Sequence, residues 1–435
     1  MIRDTVNIAL VGMGTVGSAL VDIFRRNLPL LEEKAGTHLR ISWIADLRRT
    51  PFKDPIQKPR LTKDWRQVMR DPSVDIVVEL IGGYEPARTV VLEALKAGKH
   101  VATANKALLA KHWDEIFKTA QEHRGLLYFE ASVGSGIPVI QGLNEGMAAN
   151  RIERIYGILN GTTNYILSRM TNEGLSFAVA LKGAQKAGFA EADPTFDVEG
   201  VDAANKLAIL ASLAAGAWVR LEDIYVEGVT ALDAWDVNFA RRKLGMVTKL
   251  LGIAHLDGDR VSARVHPALI PAAHPFANVS AEYNAIIIHG DAAGDVMFYG
   301  KGAGGPAAAS AVVSDIVYLA RQVASGGRAG QMPYVTIHGE RRPVAVPLEE
   351  VVCRNYLRFT AKDRPGVLAQ LAGILGRHKV SIASVHQDEG RGRGVPIVFI
   401  THRVPEGAVA AALKEADRLS TTLKKAVRLR IEDFS

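Results

Sequence analysis

The chain has 435 residues, 48% of them hydrophobic and 23% charged, with a formal net charge of +7. That length points to two to four domains and that composition to a soluble globular protein with sizeable cores. No run of 18 apolar residues and no secretory pattern appears, no basic stripe carries interleaved aromatics, and Cys353 is the only cysteine. The expectation is a cytoplasmic enzyme with no membrane or nucleic-acid partner, no intrachain disulfide and no Cys-based zinc site.

Residues 6–11 (VNIALV) read as a short apolar strand that runs into Gly12-Met13-Gly14-Thr15-Val16-Gly17 and then a helix pattern from residue 18 to about 27. Strand, tight glycine turn and helix give GxGxxG its meaning as a dinucleotide fingerprint. Gly12 makes the turn, Gly14 admits the pyrophosphate to the backbone, and Gly17 lets helix and strand pack closely. The N–H groups at the helix start then receive the phosphate.

A second strand at 39–45 ends in Asp46, placed to accept hydrogen bonds from the adenosine ribose of NAD. Arg48 and Arg49 follow directly and suit the 2′-phosphate of NADP, so both cofactors stay open. The β/α alternation continues with a strand at 74–81, Gly82-Gly83, a helix near 87–97 and a strand at 100–103. Thr103 closes that strand, and Lys106 falls at its C-terminal end, where open α/β sheets bind ligands. A strand at 126–131 then carries Glu130 into the turn 132–138 (SVGSGIP). Free carbonyls in such a turn suit a hard cation; a plain strand-to-helix turn is the competing reading.

From residue 151 the pattern changes: a strand at 152–159, then Asn160-Gly161-Thr162-Thr163-Asn164 leading a helix, with Thr162, Thr163 and Asn164 as capping candidates. The stretch 189–210 opens with Glu191, Asp193, Asp197 and Glu199 and becomes a helix carrying Asp202 and Lys206. Positions four apart share a helix face, so this acid and amine are neighbours. The continuation LAILASLAAGAWV is almost uncharged, which places Lys206 at the mouth of a buried helix, where an amine beside a carboxylate can bind a polar substrate or move a proton. A helix at 239–254, a strand near 262–267, a hairpin over 285–299, a second glycine loop (KGAGG, 301–305) and a helix at 308–325 follow.

VGMGTVG, TANKALLA, EASVGSGIP, NGTTNYIL, GFAEADPTFDVEGVDAANKLAI and YGKGAGG, in this order across residues 5 to 325, resemble homoserine dehydrogenase. The resemblance implies reversible NAD- or NADP-dependent oxidation of L-homoserine to L-aspartate 4-semialdehyde, in threonine, methionine and isoleucine biosynthesis. It implies Lys206 as general acid/base and Lys106 as a second active-site lysine touching substrate and cofactor. Glu191 would bind the homoserine amino group, with Asp197 and Asp202 lining the site. Glu130, Val133, Ser135 and Ile137 match the family's sodium site, three of them through backbone carbonyls, and Gly305 matches the glycine loop near the nicotinamide. The family's Leu-Pro-Thr-Ala-Ser is replaced here by Pro306-Ala307-Ala308-Ala309-Ser310, which removes a threonine cap. Aspartate semialdehyde dehydrogenase, which needs a cysteine nucleophile, is excluded by the position of Cys353. Phosphoglycerate dehydrogenase lacks the central motif, and a sensor with a vestigial dinucleotide fold would not keep both lysines and Glu191. With no kinase-like segment ahead of Met1, a monofunctional enzyme is expected.

Residues 324–342 read as a Gly-, Pro- and Arg-rich linker. Beyond it, strands at 355–359, 380–388, 396–401 and 426–431 and helices at 367–378 and 406–419 give the ferredoxin-like order βαββαβ. With Asp363-Arg364-Pro365-Gly366-Val367-Leu368, the segment resembles an ACT domain, which implies edge-to-edge pairing of copies and an amino-acid effector, threonine, near the first loop. The expected architecture is α/β throughout. It comprises a Rossmann-type dinucleotide-binding domain (1–140 plus about 305–325), an α+β catalytic and dimerisation domain (141–304), a linker (326–352) and an ACT domain (353–435). A homodimer or homotetramer is expected.

Overall fold

The computed structural model describes residues 4–48, 58–326, 342–387 and 394–434. Arg49 and most of the predicted linker lie outside the described residues.

The first sheet is built from β1 (Thr5–Val11), β2 (His38–Ala45), β3 (Arg60–Thr62), β4 (Ile76–Glu79), β5 (His100–Thr103) and β6 (Leu127–Tyr128). All are parallel, in the order β3-β2-β1-β4-β5-β6. This is the doubly wound order, whose reversal between β1 and β4 opens the ligand crevice. The connecting helices are α1 (Thr15–Ala35), the short α2 (Arg66–Arg70), α3 (Ala87–Lys96) and α4 (Lys106–Glu122). Gly12 has φ +108°, and a Cβ there would lie 2.7 Å from the Leu80 carbonyl. A Cβ on Gly17 would lie 2.4 Å from the Gly12 oxygen. Both positions of the fingerprint therefore demand glycine on steric grounds.

The predicted strand at 126–131 stops at Tyr128. Glu130–Ser132 is a 3₁₀ turn, and α5 (Val139–Gln141) follows. The Glu130 carboxylate caps that helix, which turns the chain before a strand can extend.

The second sheet begins with β7 (Ile152–Ile158). Four helices then cross to its face: α6 (Gly161–Glu173), α7 (Phe177–Lys186), α8 (Thr195–Val198) and α9 (Val201–Ala215). After β8 (Tyr225–Val226) and α10 (Ala234–Lys243) come β9 (Met246–Asp257) and β10 (Arg260–Pro271). The helix predicted over 239–254 is thus wrong in its second half. Val247, Leu250, Leu251, Ile253 and Ala254 are all buried, on both faces of β9. A strand covered on both faces loses its alternation and reads as a continuous apolar run. The hairpin β11 (Tyr283–Gly290) and β12 (Gly294–Lys301) is as predicted, and α11 (Gly305–Ala324) returns to pack beside α1 on the first sheet. Gly304 at its cap offers no side-chain hydrogen bond, Pro306 in its first turn needs none for its missing N–H, and Ala308 is buried.

The ferredoxin-like unit comprises β14 (Val352–Ala361), α12 (Val367–Arg377), β15 (Ile382–Gln387), β16 (Val395–Thr401), α13 (Glu406–Ala416) and β18 (Thr422–Ile431). Two short strands, β13 (Val344–Ala345) and β17 (Val404–Pro405), flank β10 and β14. Expected as a separate unit, it is joined to the catalytic sheet: β18 runs parallel to β10, pairing Ala268 with Arg430 and Leu269 with Ile431. One sheet therefore runs β12-β11-β7-β9-β10-β18-β14-β16-β15. Helices α12 and α13 cover one face of the unit, while Tyr356, Val398 and Leu429 on the other face cluster with Ala240 of α10.

Candidate active site

Asp202 and Lys206 lie one turn apart on α9, a helix buried over most of its length. Lys206 is 7% exposed, and its Nζ donates to Asp202 Oδ2 and to the Leu159 carbonyl, both at 2.7 Å. The other oxygen, Asp202 Oδ1, is 3.0 Å from the Nζ of Lys106. Lys106 begins α4 just beyond β5 and belongs to the dinucleotide sheet. The structure thus joins two distant motifs through one carboxylate, and Asp202 is the centre of the cluster.

Burial alone would raise the Asp202 carboxyl, but the Lys206 and Lys106 ammonium groups outweigh it and hold it well below the usual carboxylate range. Burial pulls Lys206 below the ordinary lysine range; Asp202 opposes this and Lys106 reinforces it. The amine is thereby nearer to neutrality while its position is fixed by two short hydrogen bonds.

Asp197 joins from α8. Burial raises its carboxyl, the hydrogen bond from Asn160 lowers it, and Asp202 raises it further. Asn160 is a member that the sequence reading passed over. Its Nδ2 donates to Asp197 Oδ1 at 2.7 Å and to Asp202 Oδ2 at 2.8 Å, while its Oδ1 accepts from the Thr163 N–H and caps α6. Asn160 is therefore the cap, not Thr162, Thr163 or Asn164. Thr162 donates to the Phe189 carbonyl and Asp197, and Asn164 ties the carbonyls of Val279, Ala281 and Tyr283. The Asn-Gly-Thr turn signalled a cap; its distant carboxylate partners carry no local signal. Glu191 is exposed, and its carboxylate has no partner among the described residues.

The cofactor crevice is a cavity of about 560 Å³ bordered by Gly12, Gly14, Asp46, Arg48, Lys63 and Arg66. Asp46 accepts from the Met13 N–H at 2.6 Å and the Arg48 N–H at 2.7 Å. Burial raises its carboxyl, but these bonds and the Arg48 charge bring it below the usual value. Thr15 meets the second glycine loop: a Cβ on Gly305 would be 2.8 Å from Thr15 Cγ2. Val16 is half-buried beside it. Thr103, expected at the cofactor, donates its hydroxyl to Glu79 Oε2 at 2.6 Å. Glu79, wholly buried, also accepts from Ile81 and Gly82, so it braces the Gly82-Gly83 turn beside the crevice.

Around Glu130 the two carboxylate oxygens accept from the Ile140 and Gln141 N–H groups at 2.8 and 2.9 Å. Burial pushes its carboxyl up to about 7 against those bonds. The Ile137 carbonyl accepts from Val139; those of Val133 and Ser135 take no backbone hydrogen bond among the described residues. Glu130 keeps spare lone pairs and the Val133 and Ser135 carbonyls lack backbone donors, which are oxygen ligands of the type a hard monovalent ion takes. No group of three or more His, Cys, Asp or Glu side chains suited to a metal occurs among the described residues.

Residues 138–317 match the homoserine dehydrogenase family, residues 12–130 its NAD-binding domain and residues 355–420 the ACT domain. The chain belongs to the homoserine dehydrogenase family. It is 42% identical to the homoserine dehydrogenase of Pseudomonas aeruginosa over 99% of both chains, and 43% identical to that of Synechocystis over 95% of this chain and 96% of the other. The crystal structure of a homoserine dehydrogenase from Thiobacillus denitrificans superposes with a TM-score of 0.92 at 41% identity, covering 99% of each chain. A hyperthermophilic archaeal homoserine dehydrogenase in complex with NADPH superposes with a TM-score of 0.61 at 26% identity, over 72% of this chain and 97% of that one. The chain is an oxidoreductase with an NAD(P)-binding sheet and an ACT domain. No helix among the described residues is long and apolar enough to cross a membrane.

Proposed function

We propose that the chain interconverts L-homoserine and L-aspartate 4-semialdehyde, within threonine, methionine and isoleucine biosynthesis in the cytoplasm. The observation that carries this is the Lys206–Asp202–Lys106 bridge, which sets a buried amine of the catalytic helix at the edge of the dinucleotide sheet. A bound nicotinamide supplies the hydride acceptor. Lys206 takes the hydroxyl proton of homoserine as the carbon–hydrogen bond breaks and returns it in the reverse direction. Asp202, kept ionised, orients both lysines, and Lys106 answers the substrate carboxylate. Glu191 is free to meet the substrate ammonium, with Asp197 beside it.

Arg48, Lys63 and Arg66 around the crevice favour NADP, whose 2′-phosphate they would neutralise, over NAD. Glu130 with the carbonyls of Val133, Ser135 and Ile137 would hold sodium. The cleft of about 410 Å³ along Lys362–Leu368 is the place for threonine as effector. The edge of β15, unpaired among the described residues, leaves a strand for pairing with a second copy in a homodimer or homotetramer. The packing of α11 on α1 supports assigning residues 305–325 to the first domain.

The test is steady-state oxidation of L-homoserine followed at the nicotinamide band, with NADP and NAD, with and without threonine. Turnover preferring NADP and depressed by threonine is expected. A Lys206→Ala variant should lose turnover while binding cofactor nearly as before. Loss of both together would sink the lysine's assignment, and absence of turnover in the parent chain would sink the reaction.

A further inference from the structure

The catalytic sheet meets the second glycine loop at Asn284, the second residue of β11. Asn284 is wholly buried, yet neither polar atom of its carboxamide has a hydrogen-bond partner among the described residues. A carboxamide offers two donors and an acceptor, and leaving them unpaired in the interior is costly. Alternate residues of a strand share a face, so Asn284 lies on the side of Ile286 and Ile288, which pack with Leu159 and with Leu207 of α9. Ala285 pairs with Ile158, one residue before Leu159, whose carbonyl accepts from Lys206 Nζ. The frame at this point is fixed. Asn164 of α6 donates to the Ala281 and Tyr283 carbonyls just ahead of Asn284, and a Cβ on Gly161 would lie 2.7 Å from the Glu282 oxygen.

The loop has the complementary deficit. A Cβ on Gly302 would lie 2.0 Å from Asn284 Cγ, so the Gly302 backbone rests directly on the carboxamide. Neither Gly302 nor Ala303 makes a backbone hydrogen bond among the described residues. Three positions after Gly302, Gly305 abuts Thr15 in the first turn of α1. Residues 302–305 thus bridge from Asn284 on the catalytic sheet to the dinucleotide turn.

We propose that Asn284 is the positioning residue of this loop. With a nicotinamide cofactor bound, its carboxamide pairs with the Gly302 and Ala303 peptide groups and so sets the height of the nicotinamide above Lys206. Asn284 acts through the loop backbone and touches no reacting atom. The inference rests on the reading of the glycine loop as a wall of the nicotinamide site. Because the carboxamide is unpaired in the free protein, an apolar side chain of similar shape should be tolerated in its place.

Titration with NADPH and with NADH, followed by the fluorescence of the bound nicotinamide, tests this without turnover. In Asn284→Leu the thermal midpoint of the free protein should stay or rise. The dissociation constant of the tighter cofactor should rise by about tenfold, the worth of one or two hydrogen bonds. The matching adenosine half, adenosine 2′,5′-bisphosphate or AMP, should bind parent and variant alike, which a merely structural role would not predict. Gly302→Ala should weaken the cofactor as well, and the two losses should not add in the double variant, since both act through one contact. Gly302 lies in the loop outside β12 and α11, so its substitution keeps the test valid if Asn284→Leu does not fold by circular dichroism. Unchanged cofactor affinity in the folded variants, additive losses, an equal loss for the adenosine half, or no cofactor binding by the parent overturns the proposal. Absence of homoserine turnover in a parent that binds cofactor would sink the reaction alone, because the affinities decide the role of Asn284.

Discussion

Two of the buried ionic clusters among the described residues differ in the chemistry of their cations. At the catalytic helix one carboxylate, Asp202, holds two lysines, one buried and one about a third exposed. At the ACT junction Glu406 grips Arg430 bidentately, with Arg428 at 2.8 Å and the Cys353 thiol at 3.1 Å on the same carboxylate. Arginine stays charged at every accessible pH and spends a planar fork on fixed partners, whereas a buried lysine gives up its proton readily. In the proposed mechanism the first cluster changes charge; the second never does. Arg430 also reaches Glu227 of the catalytic half at 2.7 Å, so the permanent cluster fastens the two parts together.

The contrast can be broken most directly at Lys206. Lys206→Met should reduce kcat by roughly 10²–10⁴-fold, the usual worth of a positioned acid/base. The thermal midpoint should change little. For the parent enzyme, kcat/KM for oxidation should rise with pH as Lys206 deprotonates within its lowered range. A pH-independent profile would refute proton transfer to this amine. Glu406→Gln should do the reverse. It leaves the buried Arg430 with Glu227 alone and the half-buried Arg428 without its anion, so stability falls by about 3 kcal/mol, read by urea unfolding, while the folded fraction keeps its kcat.

Asn160→Ala removes the donor shared by Asp197 and Asp202. Hydrogen bonds to charged groups are worth about 1.5–3 kcal/mol, so kcat should fall by roughly tenfold or more. The pH profile should shift as well, which a purely structural cap would not cause. The smallest effect is expected at Glu130. Its folded carboxyl titrates near 7 against an ordinary 4.5, so the folded state holds the proton more tightly than the unfolded one. Its contribution is full below about 4.5 and is lost as pH rises through about 7. Sodium at that carboxylate would recover the loss. The thermal midpoint should rise more with sodium chloride than with choline chloride at pH 8, and equally at pH 5.

Much of this was legible from spacing. The glycine turn, the i,i+4 pair on α9, the β11–β12 hairpin and the βαββαβ order are local patterns, and each corresponds to an observed element. The failures share a physical cause. Strand β9 is covered on both faces, which erases the period that distinguishes strand from helix. The spacing paired Asp202 with Lys206 alone, because its second lysine comes from beside the other sheet. Asn160 acts through Asp197 and Asp202, and Glu79 in part through Thr103, and sequence neighbours carry no trace of such distant pairings.

The parallel pairing of β10 with β18 bears on how the chain is made. Synthesis proceeds from the N-terminus, so β10 emerges long before its partner β18. During that interval the end of its outer edge at Ala268 and Leu269, beyond the part that β8 pairs, presents unpaired N–H and C=O groups, the kind of surface on which nascent chains stick to one another. Completion of the catalytic sheet waits on a late strand, and a ribosome that stalls within α13 would release a chain whose dehydrogenase half is already dressed but still adhesive.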